Sequence, residues 1–299
     1  MTRHFLDVDD LSADELAAVV DAAANGTRPQ VLTGRTVGLV FEKPSLRTRN
    51  ACETAIVQLG GHPVTMQGAE VGLGHREPAA DVARVLSRYH ALLGARVFSH
   101  DALRELAAHS GVPVVNLLSD EAHPCQAVAD LLTLQQHFGK VDGLEVAYVG
   151  DFNNVARSLA VAASKAGASI RLACPPGYGP SADDLDRIRL AGGDPLVTAR
   201  PAEAASGADC VYTDVWTSMG QEEETDARRR AFEGFQVDDQ LISGMSARGV
   251  FLHCLPAHRG DEVAASVVDG DRSLVWQQAE NRLHAFRAIV VWLLDQGAG

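Results

Sequence analysis

The sequence predicts an α/β protein of two doubly wound domains, each a mostly parallel sheet with helices on both faces. Three observations lead there. Short apolar runs alternate with helix-period segments along nearly the whole chain, the pattern of strand–helix units. A turn-rich break, Gly139 to Gly143, interrupts the alternation, which then restarts. The chain has 299 residues, enough for two cores.

Leu11 to Ala24 reads as an amphipathic helix, N-capped by Ser12 and stopped by Asn25-Gly26. Val37 to Phe41 is an apolar strand, and Leu46 to Leu59 a helix with Ser45 at its N-cap. His62 to Met66 is a short strand. Gln67 to Pro78 is a glycine-bearing loop, long enough to suggest a binding or lid role. Helices follow at Ala79–Tyr89, Asp101–His109 and Ala127–His137, with strands at Ala91–Phe98 and Val112–Leu117 and a polar turn at Ser119–Gln126. After the break, strands are expected at Leu144–Val149, Ser169–Ala173, Val197, Cys210–Thr213 and Val250–His253. Helices are expected at Val155–Ala166, Ala182–Leu190, Ala202–Ser206 and Glu222–Phe232. Trp276 to Leu294 is a long amphipathic closing helix.

Composition is that of an ordinary globular protein, 46% hydrophobic and 22% charged. A formal net charge of -13 argues against nucleic acid or an anionic membrane as partner. The five cysteines are odd in number and form no C-x-x-C pair, which fits a reducing compartment without disulfides. No signal-like apolar core opens the chain and no run approaches membrane-spanning length, so a cytoplasmic protein without membrane contact is expected.

In open parallel sheets, ligands bind beyond the carboxyl ends of the strands. Six clusters fall there: Ser45–Arg49, Arg96, His123–Gln126, Asp151–Asn154, Asp214–Gln221 and His253–Arg259. Each has a bland reading. Ser45 to Arg49 could be a capped surface helix, Arg96 a structural cation, His123 a turn histidine, and Cys254 a small apolar filler. Together they suggest more. Helix-start N–H groups with Arg47 and Arg49 suit a phosphate. His123 and Gln126 offer donors to a carbonyl oxygen and an acceptor to an NH2 group. Asparagine, aspartate and serine can fix an amino acid. Such a set is suited to acyl transfer to nitrogen, which needs mainly positioning and charge stabilisation.

Ser45-Leu46-Arg47-Thr48-Arg49, His123-Pro124-Cys125-Gln126, the run Asp214 to Glu222 and the run His253 to Gly260 together resemble the aspartate/ornithine carbamoyltransferase family. The match spans essentially the whole chain. The last two motifs resemble the ornithine branch; the aspartate branch carries proline after the corresponding histidine and lacks the Ser-Met-Gly loop. The resemblance implies transfer of a carbamoyl group from carbamoyl phosphate to the δ-amine of L-ornithine, giving citrulline and phosphate in arginine metabolism. It implies a carbamoyl phosphate domain at 1–140, an ornithine domain at 141–270, and a C-terminal helix, 271–299, that packs back on the first. It further implies a homotrimer or multiple of trimers with sites at subunit interfaces; no metal and no cofactor are expected.

By the same resemblance, Ser45, Leu46, Arg47 and Thr48 hold the phosphate. Arg96 and His123 polarise the carbonyl, and Gln126 contacts the carbamoyl amino group. Asn154, Asp214, Ser218 and Met219 bind ornithine. Cys254 and Leu255 line the place where the substrates meet, and Arg282 reaches carbamoyl phosphate from the closing helix. Asp214 and Cys254 orient the neutral amine, and the departing phosphate takes its proton. Two positions depart from the family: Leu46 stands for threonine, and Gly72 for a glutamine that touches carbamoyl phosphate, with His75 or Arg76 as its replacement.

Three readings compete. One is carbamoyl transfer to acetylornithine, lysine or putrescine. A second is a non-catalytic paralogue. A third, a dinucleotide oxidoreductase, is disfavoured because Gly150 to Asn154 lacks the G-x-G-x-x-G spacing. A metal site from His253, Cys254 and His258 fits no common spacing.

Overall fold

The computed structural model describes residues 2–74, 76–217 and 222–295. Two compact units divide the chain: Met1–Leu132 with Glu280–Gly299, and Thr133–Ala279.

The first unit opens with a 3-10 turn, Val8–Asp10, and helix α1 (Ala13–Asn25). Ser12 Oγ accepts from the Glu15 N–H, and the Glu15 carboxylate accepts from the Ser12 N–H, a reciprocal cap. Gly26, at φ +66°, ends the helix in the left-handed region that glycine adopts freely. There follow β1 (Thr36–Phe41), α2 (Leu46–Gln58), β2 (His62–Gln67), α3 (Gly68–Val71), α4 (Ala79–Leu86), β3 (Leu92–Arg96), α5 (His100–His109), β4 (Val114–Leu118) and α6 (Pro124–Phe138). All strand pairings are parallel, in the order β2-β1-β3-β4. Residues 37–41 of β1 are buried on both faces, as a central strand of a covered parallel sheet must be. Val40, Leu93, Ala95 and Val114 pack with Val82, Ala83, Leu103 and Leu106 in one of its cores.

The second unit contains β5 (Glu145–Val149), α7 (Asn154–Lys165), β6 (Ser169–Ala173), α8 (Ala182–Leu190), β7 (Leu196–Thr198), α9 (Pro201–Ala205) and β8 (Cys210–Tyr212). A 3-10 turn at Glu222–Glu224 precedes α10 (Thr225–Ala231), α11 (Asp239–Ser243), β9 (Val250–Leu252) and α12 (Ala265–Val268). The sheet is again all parallel, in the order β7-β6-β5-β8-β9. Ala147, Val149, Val211 and Phe251 pack against Trp216, Phe232, Phe235 and Val267. Helix α13 (Val275–Asp295) closes the chain.

From residue 280 onward α13 belongs to the first unit. There Arg287 Nη1 donates to Gln58 Oε1 at 2.7 Å, and the Arg3 guanidinium lies 4.3 Å from the Trp292 ring centroid. The expected fold class is therefore observed: two parallel-sheet α/β units, with the last helix returning to the first. Among the described residues, no helix is long and apolar enough to cross a membrane.

Strand order reverses between β1 and β3 in the first sheet, and between β5 and β8 in the second. At such a switch point adjacent loops leave in opposite directions and open a crevice. Each unit thus has one ready-made place for a ligand, and each holds three of the six clusters.

Several expectations need correction. The loop after β2 is not wholly irregular: residues 68–71 make one helical turn, with the Glu70 carboxylate accepting from the Gln67 N–H at 2.6 Å. The expected polar turn Ser119–Gln126 ends early, because α6 starts at Pro124, whose fixed φ suits a first helical position. Gln126 is therefore on a helix. The helices α11 and α12 were not anticipated; each is a turn or so long, too short for a periodic signal.

Candidate active site

In the first unit, Ser45 caps α2 as its sequence position suggests: Ser45 Oγ accepts from the Thr48 N–H at 3.2 Å. Leu46 is the first helical residue and its side chain is 75% exposed, so backbone is what it can offer an anion. Arg47 is half-buried in the same turn. Arg49 does not join the cluster as expected. The i,i+4 spacing carries it along the exposed helix face to Glu53, with Nε 2.8 Å from Oε1.

Thr48 is the hinge of the arrangement. Its hydroxyl oxygen accepts from Arg282 Nη2 at 2.5 Å and from Arg96 Nη1 at 3.4 Å. Both arginines are 6% exposed. Arg96 ends β3, and Arg282 comes from the closing helix. A hydroxyl has two lone pairs and one proton. With both lone pairs engaged by guanidinium groups, the Thr48 proton remains to be donated. Two buried positive charges beside a hydroxyl and a helix N-terminus are chemically suited to an anion.

His123 immediately precedes α6 and is almost fully buried. Burial, and then the nearby Arg282 and Arg96, hold its pKa well below the usual histidine range. It is a neutral imidazole, able to donate one N–H without adding charge. Gln126 follows in the first turn of α6, with Nε2 donating to Asp130 Oδ1 at 2.7 Å. Cys125 is not a nucleophile: burial pushes its thiol up to about 12.

In the second unit, Asp214 follows β8 and Asn153 follows β5, on either side of the switch point. Asn153 Nδ2 donates to Asp214 Oδ2 at 2.8 Å. Asn153 Oδ1 also caps α7, accepting from the Val155 and Ala156 N–H groups at 2.9 and 3.1 Å. Asn154 is the first residue of that helix. Cys254, after β9, donates from Sγ to Asp214 Oδ1 at 3.1 Å. A thiol that donates carries its proton, so this is an orienting contact rather than an activated thiolate.

Leu255 adopts φ +59°, a region costly for a side chain. The turn is held by its N–H, which donates to His253 Nδ1 at 2.9 Å. His253 Nε2 in turn faces the buried Glu262 Oε1 at 3.2 Å. Ligand atoms of Asp214, His253 and Cys254 lie within 4.8 Å of one another. Both His253 nitrogens are already engaged, however, which does not suit metal ligation.

The cap that Asn153 makes on α7 is local, but its second bond, to Asp214, depends on the tertiary fold. So does Arg228. Its buried guanidinium reaches Asp151 Oδ2 at 2.8 Å and the Trp216 carbonyl at 2.9 Å, tying down the segment after Asp214. Gly72 also gains a reason: at φ +58°, an added Cβ would stand 2.6 Å from Arg76 Cβ, so this loop path excludes a glutamine there. The candidates Ser218 and Met219, and His75, lie outside the described residues.

Comparison with known proteins agrees with these features. Residues 3–136 match the aspartate/ornithine carbamoyltransferase carbamoyl-P binding domain, and residues 142–293 the Asp/Orn binding domain of the same family. The ornithine carbamoyltransferase of Acidothermus cellulolyticus is 52% identical over 310 residues, covering 100% of this chain and 99% of that protein. The crystal structure of ornithine carbamoyltransferase from Thermus thermophilus superposes with a TM-score of 0.90 at 47% identity, over 98% of this chain and 99% of that one. The Pyrococcus furiosus enzyme of the same name gives 0.93 at 41%, over 98% and 97%. Both halves of the chain, its two parallel sheets and the residues at their switch points place it in the aspartate/ornithine carbamoyltransferase family.

Proposed function

We propose that this chain is an ornithine carbamoyltransferase, converting carbamoyl phosphate and L-ornithine to L-citrulline and phosphate. The observation that carries this reading is the buried Arg96–Thr48–Arg282 cluster beside the N-terminus of α2, a site built for a phosphate. Relatives similar to this chain over its full length bear this name. Purified protein should form citrulline from the two substrates. No citrulline at saturating substrate would refute the assignment, and turnover of acetylornithine, lysine or putrescine instead would redirect it.

In this reading the N-terminal domain, residues 1–140, binds carbamoyl phosphate together with the closing helix. Ser45, Arg47 and Thr48 hold the phosphate with Arg282, and the Leu46 backbone contributes. Arg96 and neutral His123 stabilise negative charge as it develops on the carbonyl oxygen. Gln126 accepts from the carbamoyl NH2. The following domain, residues 141–270, binds ornithine through Asn154, Asp214, Ser218 and Met219. Asp214 and Cys254 orient the δ-amine, and Leu255 presents its backbone. The neutral amine attacks the carbonyl carbon. The tetrahedral adduct then expels phosphate, which leaves with the amine proton. No covalent enzyme intermediate is needed, so positioning supplies most of the acceleration.

We further infer a homotrimer, or a multiple of trimers, acting in the cytoplasm in arginine biosynthesis. Light scattering that returned a monomer would remove the first part. Growth without arginine, restored by this gene in a strain lacking the activity, would support the last.

A further inference from the structure

We propose that Asp130 is a positioning residue: it sets which end of the Gln126 side chain meets the ligand, and so selects a carbamoyl over an acetyl group. The inference rests on the placement of Gln126 at the carbamoyl group.

Gln126 and Asp130 are one turn apart on α6, on a shared face. Both are buried. Their contact, Gln126 Nε2 to Asp130 Oδ1, is 2.7 Å. A primary amide has unlike ends: its nitrogen only donates and its oxygen only accepts. A carboxylate only accepts, so Asp130 turns the nitrogen toward itself. Gln126 Oε1 is left buried and without a hydrogen-bond partner among the described residues. A buried acceptor without a donor is uncommon and points to a ligand that brings one. The NH2 of a carbamoyl group is such a donor. The CH3 of an acetyl group has nearly the same shape and donates nothing. With the amide inverted, NH2 would face NH2 and the discrimination would be lost. Asp130 therefore acts through Gln126.

The test measures KM for carbamoyl phosphate, and inhibition constants for acetyl phosphate and inorganic phosphate, in four proteins: wild type, Asp130→Asn, Gln126→Ala and the double variant. An asparagine at 130 can donate as well as accept, so it no longer dictates the orientation. Asp130→Asn should raise KM for carbamoyl phosphate roughly tenfold, the factor that one good hydrogen bond supplies. The two inhibition constants should stay within about twofold. On the Gln126→Ala background, Asp130→Asn should change the carbamoyl-to-acetyl ratio no further. Equal weakening of all three ligands would make Asp130 merely structural and overturn the proposal.

The two readings fail differently. If Gln126→Ala keeps the wild-type ratio, Gln126 does not touch the carbamoyl group. If Gln126→Ala collapses the ratio and Asp130→Asn does not, only the role of Asp130 falls. Should Asp130→Asn not fold, wild-type protein labelled with 15N-glutamine answers the question. The Gln126 side-chain amide protons, facing Asp130, should keep their shifts when acetyl phosphate replaces carbamoyl phosphate. Protons that follow the ligand would place the nitrogen on it and overturn the proposal.

Discussion

Asn153 Nδ2 donates to Asp214 Oδ2 at 2.8 Å, joining the loops on either side of the point where the second sheet reverses its strand order. The same carboxylate takes the Cys254 thiol on its other oxygen. Asp214 is thus fixed from two sides by two different strand ends.

Replacing Asp214 by asparagine removes the charge and one of the two acceptor oxygens. One neighbour is left without its acceptor, which costs about 1–3 kcal/mol of local order. We expect Asp214→Asn to raise KM for ornithine and lower kcat by roughly 10²-fold or more. Affinity for carbamoyl phosphate alone should hardly change. Steady-state kinetics with each substrate varied would check this, and unchanged ornithine kinetics would remove Asp214 from the amine site.

Cys254→Ser keeps a donor for Asp214 in a slightly smaller group. Turnover should stay within about tenfold of wild type, the range of one adjusted hydrogen bond. A covalent nucleophile would behave otherwise, with a loss of roughly 10⁴-fold or more. A stopped assay showing near-complete inactivity would contradict the orienting role.

Thr48→Val preserves shape but removes the oxygen on which Arg96 and Arg282 meet. Losing hydrogen bonds to charged groups costs about 1.5–3 kcal/mol. KM for carbamoyl phosphate should rise by a factor of about 10 to 100. Isothermal calorimetry with inorganic phosphate should show a parallel loss. Phosphate binding that survives intact would relocate the pocket.

Burial lowers the pKa of His4, His90, His100, His123 and His284 below the ordinary value near 6.5. The unfolded chain therefore binds more protons than the folded one as pH falls through 6.5. The stability these rings contribute is present above that value and is lost on acidification. Glu15, held at about 2 chiefly by its hydrogen bond from Arg3, acts in a separate window below the usual carboxylate value. The melting temperature should fall between pH 7.5 and 5.5, before any carboxylate effect. A flat profile there would mean that these histidines titrate normally.

Much of the fold was legible because its signals are local. The apolar run ending at Phe41, the Ser45 cap and the restart after Gly143 are each written within a few residues. Boundaries shifted where chain context overrode the local pattern, as at Pro124, where a turn expected to be polar is already helical. The candidate residues Ser45, Arg96, His123, Asp214 and Cys254 could be named one by one, because each stands at or just beyond a strand end. Their hydrogen-bonding partners could not be named.

The sequence by itself determined the alternation of strands and helices, the helix start at Ser45, and the motifs of the family, since these depend on neighbours in the chain. Only the tertiary structure decided that Arg282 meets Arg96 on one hydroxyl, 234 residues from Thr48. Only it decided that Arg49 turns away to Glu53, that Asn153 serves Asp214, and that Gly72 admits no larger residue. Those outcomes depend on strand order, burial and the direction each side chain takes from its element, and distances through space cannot be read from spacing along the chain.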